Sequence, residues 1–141
     1  MKFLCFICTE TAVDEMSVVE GARLFGEYAA FTEGIRRSGH YVGSNRLLPP
    51  ATACTVRVRD GKVSTTDGPF AETKEYVGGY YLIDARDLNE AIRVAAKIPG
   101  ARTGCVEVRP VADDTETLRA LGVPAAQREN HGHPTFAKET T

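Results

Sequence analysis

Neither sign of charge is in surplus in this chain: 17 basic residues stand against 19 acidic ones, for a formal net charge of −2. That balance supplies no electrostatic footprint for nucleic acid or an anionic membrane surface. No apolar stretch reaches membrane-spanning length. The apolar opening, Met1-Lys2-Phe3-Leu4-Cys5-Phe6-Ile7-Cys8, ends at Thr9-Glu10. It is too short for the apolar region of a signal peptide, and no small-residue cleavage site follows it. A lipoprotein reading fails too, because almost no positive charge precedes Leu4. The run is expected to be a buried first strand. The protein is expected to be cytoplasmic, with no membrane and no nucleic-acid partner.

Cysteine and histidine are scarce. Cys5 and Cys8 have CxxC spacing, but strand residues three apart point to opposite faces. A redox CxxC opens a helix rather than sitting in a strand. No second CxxC completes a zinc site. With Cys54 and Cys105, they are expected to be reduced and mostly buried as small hydrophobes. His131 and His133 lie two apart without an evident third ligand, so no metal is expected. His40 follows the first helix and is expected to be structural and half-exposed, a role as base being the alternative. The glycine-rich nucleotide motifs and the Gly-x-Ser-x-Gly elbow are absent, so no cofactor is expected.

What is present reads as one soluble domain, 43% hydrophobic and 26% charged. Residues 2–8 read as strand one. Ser17 and Glu20 form a capping box, and Leu24, Tyr28, Phe31 and Ile35 repeat at helical spacing. Phe25 widens that stripe, and Gly39 follows Arg36-Arg37 as a helix stop. Residues 40–48 read as strand two. Cys54, Val56 and Val58 alternate with polar residues, Asp60-Gly61 is a hairpin turn, and residues 62–66 return. Residues 76–84 are apolar enough for a central strand. Asp87 caps a second helix whose Ala91, Ile92, Ala95 and Ile98 are expected to face the sheet. Residues 103–111 close the pattern.

The order is strand–helix–strand, hairpin, strand–helix–strand. It fits an α+β, ferredoxin-like sandwich with both helices on one face of the sheet. The other face needs cover, and a second subunit is the economical cover. The domain is expected over residues 1–112. Residues 113–141 are an extension: a short helix over 114–121 stopped by Gly122, then a polar tail from 124 that is expected to be mobile.

The richest stretch is Asp67-Gly68-Pro69-Phe70-Ala71-Glu72-Thr73-Lys74-Glu75. Gly68 and Pro69 reverse the chain, and Phe70 is expected to pin the loop to the core. Asp67, Glu72 and Lys74 would then stand on a constrained backbone, as a site requires. A carboxylate in a partly apolar cleft works as a general base or acid. Asp67 is the candidate proton-transfer group and Tyr80 the hydroxyl donor. Lys74 and Arg57 are candidate anion anchors, and Glu72 and Tyr28 are further candidates for binding substrate. Bonding of Asp67 to its own loop is the structural alternative.

This stretch, with Gly78-Gly79-Tyr80-Tyr81-Leu82-Ile83, Pro49-Pro50-Ala51-Thr52, residues 55–61 and Val106-Glu107-Val108-Arg109-Pro110, resembles the DGPF branch of the YCII-related proteins. The resemblance implies a ferredoxin-like fold that pairs into a dimeric α/β barrel. It implies no settled reaction. Such relatives carry a histidine early in the first helix, proposed to act with an aspartate; here that helix has none. A His–Asp mechanism therefore does not carry over. Some relatives occur beside, or fused to, sigma factors of the extracytoplasmic-function type, which implies a regulatory partner. Two functions follow as expectations. One is a cofactor-free acid–base enzyme acting on a small polar metabolite at the Asp67 loop. The other is a non-catalytic small-molecule sensor or partner-binding module.

Overall fold

The computed structural model describes residues 1–124. Its first compact unit is Met1–Val111. In chain order this unit holds β1 (Lys2–Thr9), α1 (Val18–Arg37), β2 (Tyr41–Arg46), β3 (Cys54–Arg59), β4 (Lys62–Asp67), β5 (Tyr76–Asp84), α2 (Leu88–Ala95) and β6 (Cys105–Pro110). Single 3-10 turns stand at Val13–Glu15, Pro50–Thr52 and Pro99–Arg102.

Local chemistry sets the helix ends. Ser17 Oγ accepts the Glu20 N–H at 3.2 Å and opens α1. Arg36 and Arg37 lie in its last turn, where cations suit the carbonyl end. Asp87 Oδ1 accepts the Glu90 N–H at 2.8 Å and opens α2. Between β3 and β4, Asp60 and Gly61 take φ of 52° and 73°. Two successive positive values are what a primed two-residue turn requires.

Four strands form one antiparallel sheet in the order β2-β5-β1-β6. Two β-α-β halves interleave in it, which makes the architecture α+β and ferredoxin-like. Phe3, Cys5, Tyr81 and Ile83 form the sheet's contribution to the core. Cys5 pairs with Tyr81 and Phe3 with Ile83 across β1 and β5, so these side chains share one face. Ile35 from α1 and Ala91, Val94 and Ala95 from α2 close over it. The opposite face carries Leu4, Phe6 and Leu82, each half-exposed.

Three expectations are corrected here. Ile92 is not a sheet-facing residue; it is 49% exposed, and Val94 takes the place. Ala91 and Ala95 fix the buried stripe at i and i+4. Val94 falls on that stripe, whereas Ile92 is rotated about 100° from Ala91. Among the described residues the hairpin β3–β4 pairs only with itself, and Val56 and Val58, on a strand expected to be half-exposed, are both exposed, as is Val63. Of the four cysteines only Cys5 is buried; Cys54 and Cys105 are exposed.

The second unit is Ala112–Thr141. Its short helix α3 (Thr115–Ala120) is followed by Gly122 at φ 72°. The expectations for the tail and for His131 and His133 fall, from residue 125 onward, outside the described residues.

One ionic knot joins β2 to α2. His40 Nε2 donates to Glu90 Oε1 at 2.8 Å, and Arg86 Nε donates to Glu90 Oε2. A carboxylate only accepts, so Nε2 carries a proton, and Nδ1 shares a 2.7 Å hydrogen bond with Ser38 Oγ. His40 is thus a bonded strut. The Arg86 bond first, and the His40 bond second, hold the Glu90 carboxyl at about 2, below its ordinary 4.5. The folded state therefore binds this proton more weakly than the unfolded chain does. The stability it contributes is complete above about pH 4.5 and fades as pH falls toward about 2. Glu90→Gln should flatten the acid limb of the stability curve over that window, measured as urea midpoints at several pH values. A wild-type slope in the variant would assign that limb to other carboxylates.

Candidate ligand-binding site

Tyr81 lies at the centre of the helix-side face. Its ring meets Phe31 edge-on at 5.0 Å and Tyr41 edge-on at 6.4 Å, and it stacks on Tyr28 at 6.4 Å. Its hydroxyl shares a 2.7 Å hydrogen bond with Thr32 Oγ1 on α1. Burial raises the Tyr81 phenol above its ordinary pKa, and the Thr32 bond opposes this.

A cavity of about 210 Å³ opens beside this cluster. Leu24, Phe25 and Tyr28 of α1 form one wall. Ile7 and Thr9 of β1, Ser44 to Leu47 at the end of β2, and Tyr76 with Gly78 to Tyr81 of β5 form others. Val13, Met16 and Pro49 contribute apolar surface. Among the described residues the lining holds no carboxylate, imidazole, amine or thiol; Arg46 is its one cation. Arg46 donates to Asp14 Oδ2 at 3.1 Å and lies over the Phe25 ring at 5.8 Å.

Tyr28 Oη accepts the Gly100 N–H at 3.1 Å. Burial raises its pKa as well, with the Gly100 bond opposing, so at neutral pH it is an un-ionised phenol. A phenol that accepts one bond keeps its own O–H for donation. Tyr80 Oη accepts from Asn45 Nδ2 at 2.8 Å and keeps a donor likewise. Both residues border the cavity. Tyr80 follows the strand alternation, however, and points to the face opposite Tyr81.

The other candidates lie outside this lining. Asp67 ends β4 and is exposed. Among the described residues its carboxylate has no hydrogen-bond or ion-pair partner. The loop is held instead by Gly68 N–H to Ala53 O at 2.7 Å and by Thr55 Oγ1 to Gly68 O at 2.8 Å. Arg57 and Glu72 are exposed. Lys74 pairs with Glu10 at 3.6 Å and is 84% exposed. Phe70 does not pin the loop; it is 85% exposed. Backbone and hydroxyl bonds at the hairpin base already fix the turn, leaving the ring free of that task. Asn45, Arg46, Leu47 and Met16 line the cavity without standing out in the sequence. The one available signal is the change from Ser44-Asn45-Arg46 to Leu47-Leu48 at the end of strand two, too short to read as a wall.

A four-stranded antiparallel sheet with two crossover helices on one face, and a small, mostly apolar cavity between α1 and that face, define a ferredoxin-like α+β domain. The YCII-related domain matches residues 1–114, and the chain belongs to the YCII-related family. It is similar to an uncharacterised protein of Rhizobium meliloti (strain 1021), 37% identical over 105 residues, covering 73% of this chain and 85% of the relative.

Gly100 tests the wall directly. A Cβ added there would stand 2.7 Å from Tyr28 Oη and 2.8 Å from Ile7 Cγ2. Gly100→Ala should destabilise the fold by about 1–3 kcal/mol. Gly26→Ala is its control, because a Cβ there meets nothing within 4 Å. In the helix interior it should stabilise by about 0.5–1 kcal/mol. Chemical denaturation of both variants reads the contrast. Equal effects would mean that Tyr28 and Ile7 yield freely and the wall is soft.

Proposed function

We propose that this protein is a dimeric small-molecule-binding module. Its ligand would be a largely apolar molecule with one hydrogen-bond-accepting or anionic group, held between α1 and the sheet. The observation that carries this reading is the cavity lining: apolar walls, a phenol at Tyr28 with a free donor, and Arg46 as its single cation. Few convergent polar groups in an apolar chamber suit selective binding. Proton transfer near neutral pH needs a group that titrates there, and both Tyr28 and Tyr81 are shifted upward, away from that range.

The dimer belongs to the same proposal, as does a cytoplasmic location, which four unpaired thiols support. Support for the dimer is the half-exposed apolar face of Leu4, Phe6 and Leu82 and the uncovered valines of the hairpin. Pairing through that face would form the α/β barrel. Sedimentation should give twice the 15.3 kDa chain mass, and Leu82→Arg should sediment as a folded monomer. A monomeric wild type removes the dimer. A regulatory partner, a sigma factor of the extracytoplasmic-function type, is supported by the resemblance alone; a purified factor that does not bind the full chain removes it.

A second reading keeps the acid–base enzyme. The Asp67 carboxylate, without a partner among the described residues, favours it, with Glu72 and Lys74 on the loop beyond. A thermal-shift screen with small carboxylates, amides and phenols separates the two readings. A ligand that binds only the native state raises Tm by mass action. The expected hit loses most of its shift in Tyr28→Phe and keeps it in Asp67→Asn. The reverse pattern would hand the site to the loop and favour the enzyme.

A further inference from the structure

Cys8 and Cys105 are directly opposed across the β1–β6 ladder. Opposed residues in an antiparallel pair have Cα atoms about 4.5 or 5.5 Å apart. Disulfides form across Cα separations of about 4.4–6.8 Å. Both side chains fall on the face opposite the helices, since Cys5 and Val106 occupy the core side. Cys105 opens the edge strand and is exposed, so a reagent reaches it at the border of the sheet.

We propose that Cys8 and Cys105 are a thiol-oxidation site that closes a reversible cross-strand disulfide on exposure to a small-molecule disulfide. Cys105 Sγ, as thiolate, attacks one sulfur of the reagent and expels the first thiol. Cys8 Sγ then attacks the Cys105 sulfur, forms the Cys8–Cys105 bond and expels the second thiol. The two cysteines are oxidised by two electrons, the reagent is reduced by two, and both thiol protons leave with the released thiols. Cys105 is the entry point on grounds of access. Burial first, then the neighbouring Cys105, Glu107 and Glu75, push the Cys8 thiol up to about 11. Cys105 also donates to Glu75 Oε2 at 3.6 Å. Closure quickens as pH rises and more Cys8 becomes thiolate.

The remaining cysteines are internal controls. Cys5 is buried on the helix side, and Cys54 lies opposite Asp67 in the hairpin. Ladder geometry gives neither a partner.

The test treats the full chain, in its native assembly, with oxidised glutathione and maps thiols by non-reducing peptide mass spectrometry. The expected product is a Cys8–Cys105 linked peptide, with two of the four thiols lost, and a reducing agent reverses it. Cys8→Ser should stop at a glutathione adduct on Cys105, and Cys105→Ser should leave Cys8 unmodified. Circular dichroism checks that each variant folds, and either one alone suffices if the other does not. A wild-type product that stays as an adduct on Cys105, a linkage between Cys105 residues of two chains, or four thiols left free would each overturn the proposal.

Discussion

The Tyr81–Thr32 hydrogen bond, and the ring it holds, is the constraint on which the rest of the domain depends. β5 is paired on both sides, with β1 and with β2. A side chain at its centre therefore registers three strands at once. Tyr81 projects from that centre into three other aromatic rings and bonds α1 through its hydroxyl. A buried phenol without a partner would cost about 1–3 kcal/mol. Thr32 removes that penalty and fixes the rotation of α1 over the sheet. The Tyr28 ring is then stacked against Tyr81, and Tyr28 in turn reaches Gly100. Core packing and cavity wall are one continuous set of contacts.

This continuity separates two kinds of surface. On the helix side, polar atoms are few and bonded, and the cavity walls are apolar. At the hairpin, charges and apolar side chains alike stand in solvent. Asp67, Glu72, Lys74 and Arg57 are exposed, and exposed charges in water hold a ligand weakly. A site at that loop would need cover from elsewhere. The cavity beside Tyr28 needs none, which is why geometry favours it.

Local signals carried much of the fold. Ser17 with Glu20, Asp87 with Glu90, and Asp60-Gly61 each specify a backbone event within four residues; both helix starts and the hairpin turn occur where read, although the Glu90 carboxylate bonds His40 and Arg86 rather than closing a capping box. The apolar run 76–84 coincides with β5. What was not legible depends on distant partners. Ile92 and Val94 are equally apolar, and only the placement of Ala91 and Ala95 against the sheet selects between them. Phe70 reads as an anchor from its place in a turn, yet it stays exposed because Gly68, Ala53 and Thr55 already fasten the hairpin base. At the site, Tyr28 and Tyr80 were legible as hydroxyl-bearing residues on a helix and a strand. Asn45, Arg46 and Leu47 were not, because a cavity wall assembled from three strand ends and a helix leaves no periodic trace.

The most direct measurement is a crystal structure of the full chain with the strongest ligand from the thermal-shift screen. The account predicts ligand density between α1 and the sheet, within hydrogen-bonding distance of Tyr28 Oη. Density at the Asp67 loop, with the chamber beside Tyr28 unoccupied, would contradict it.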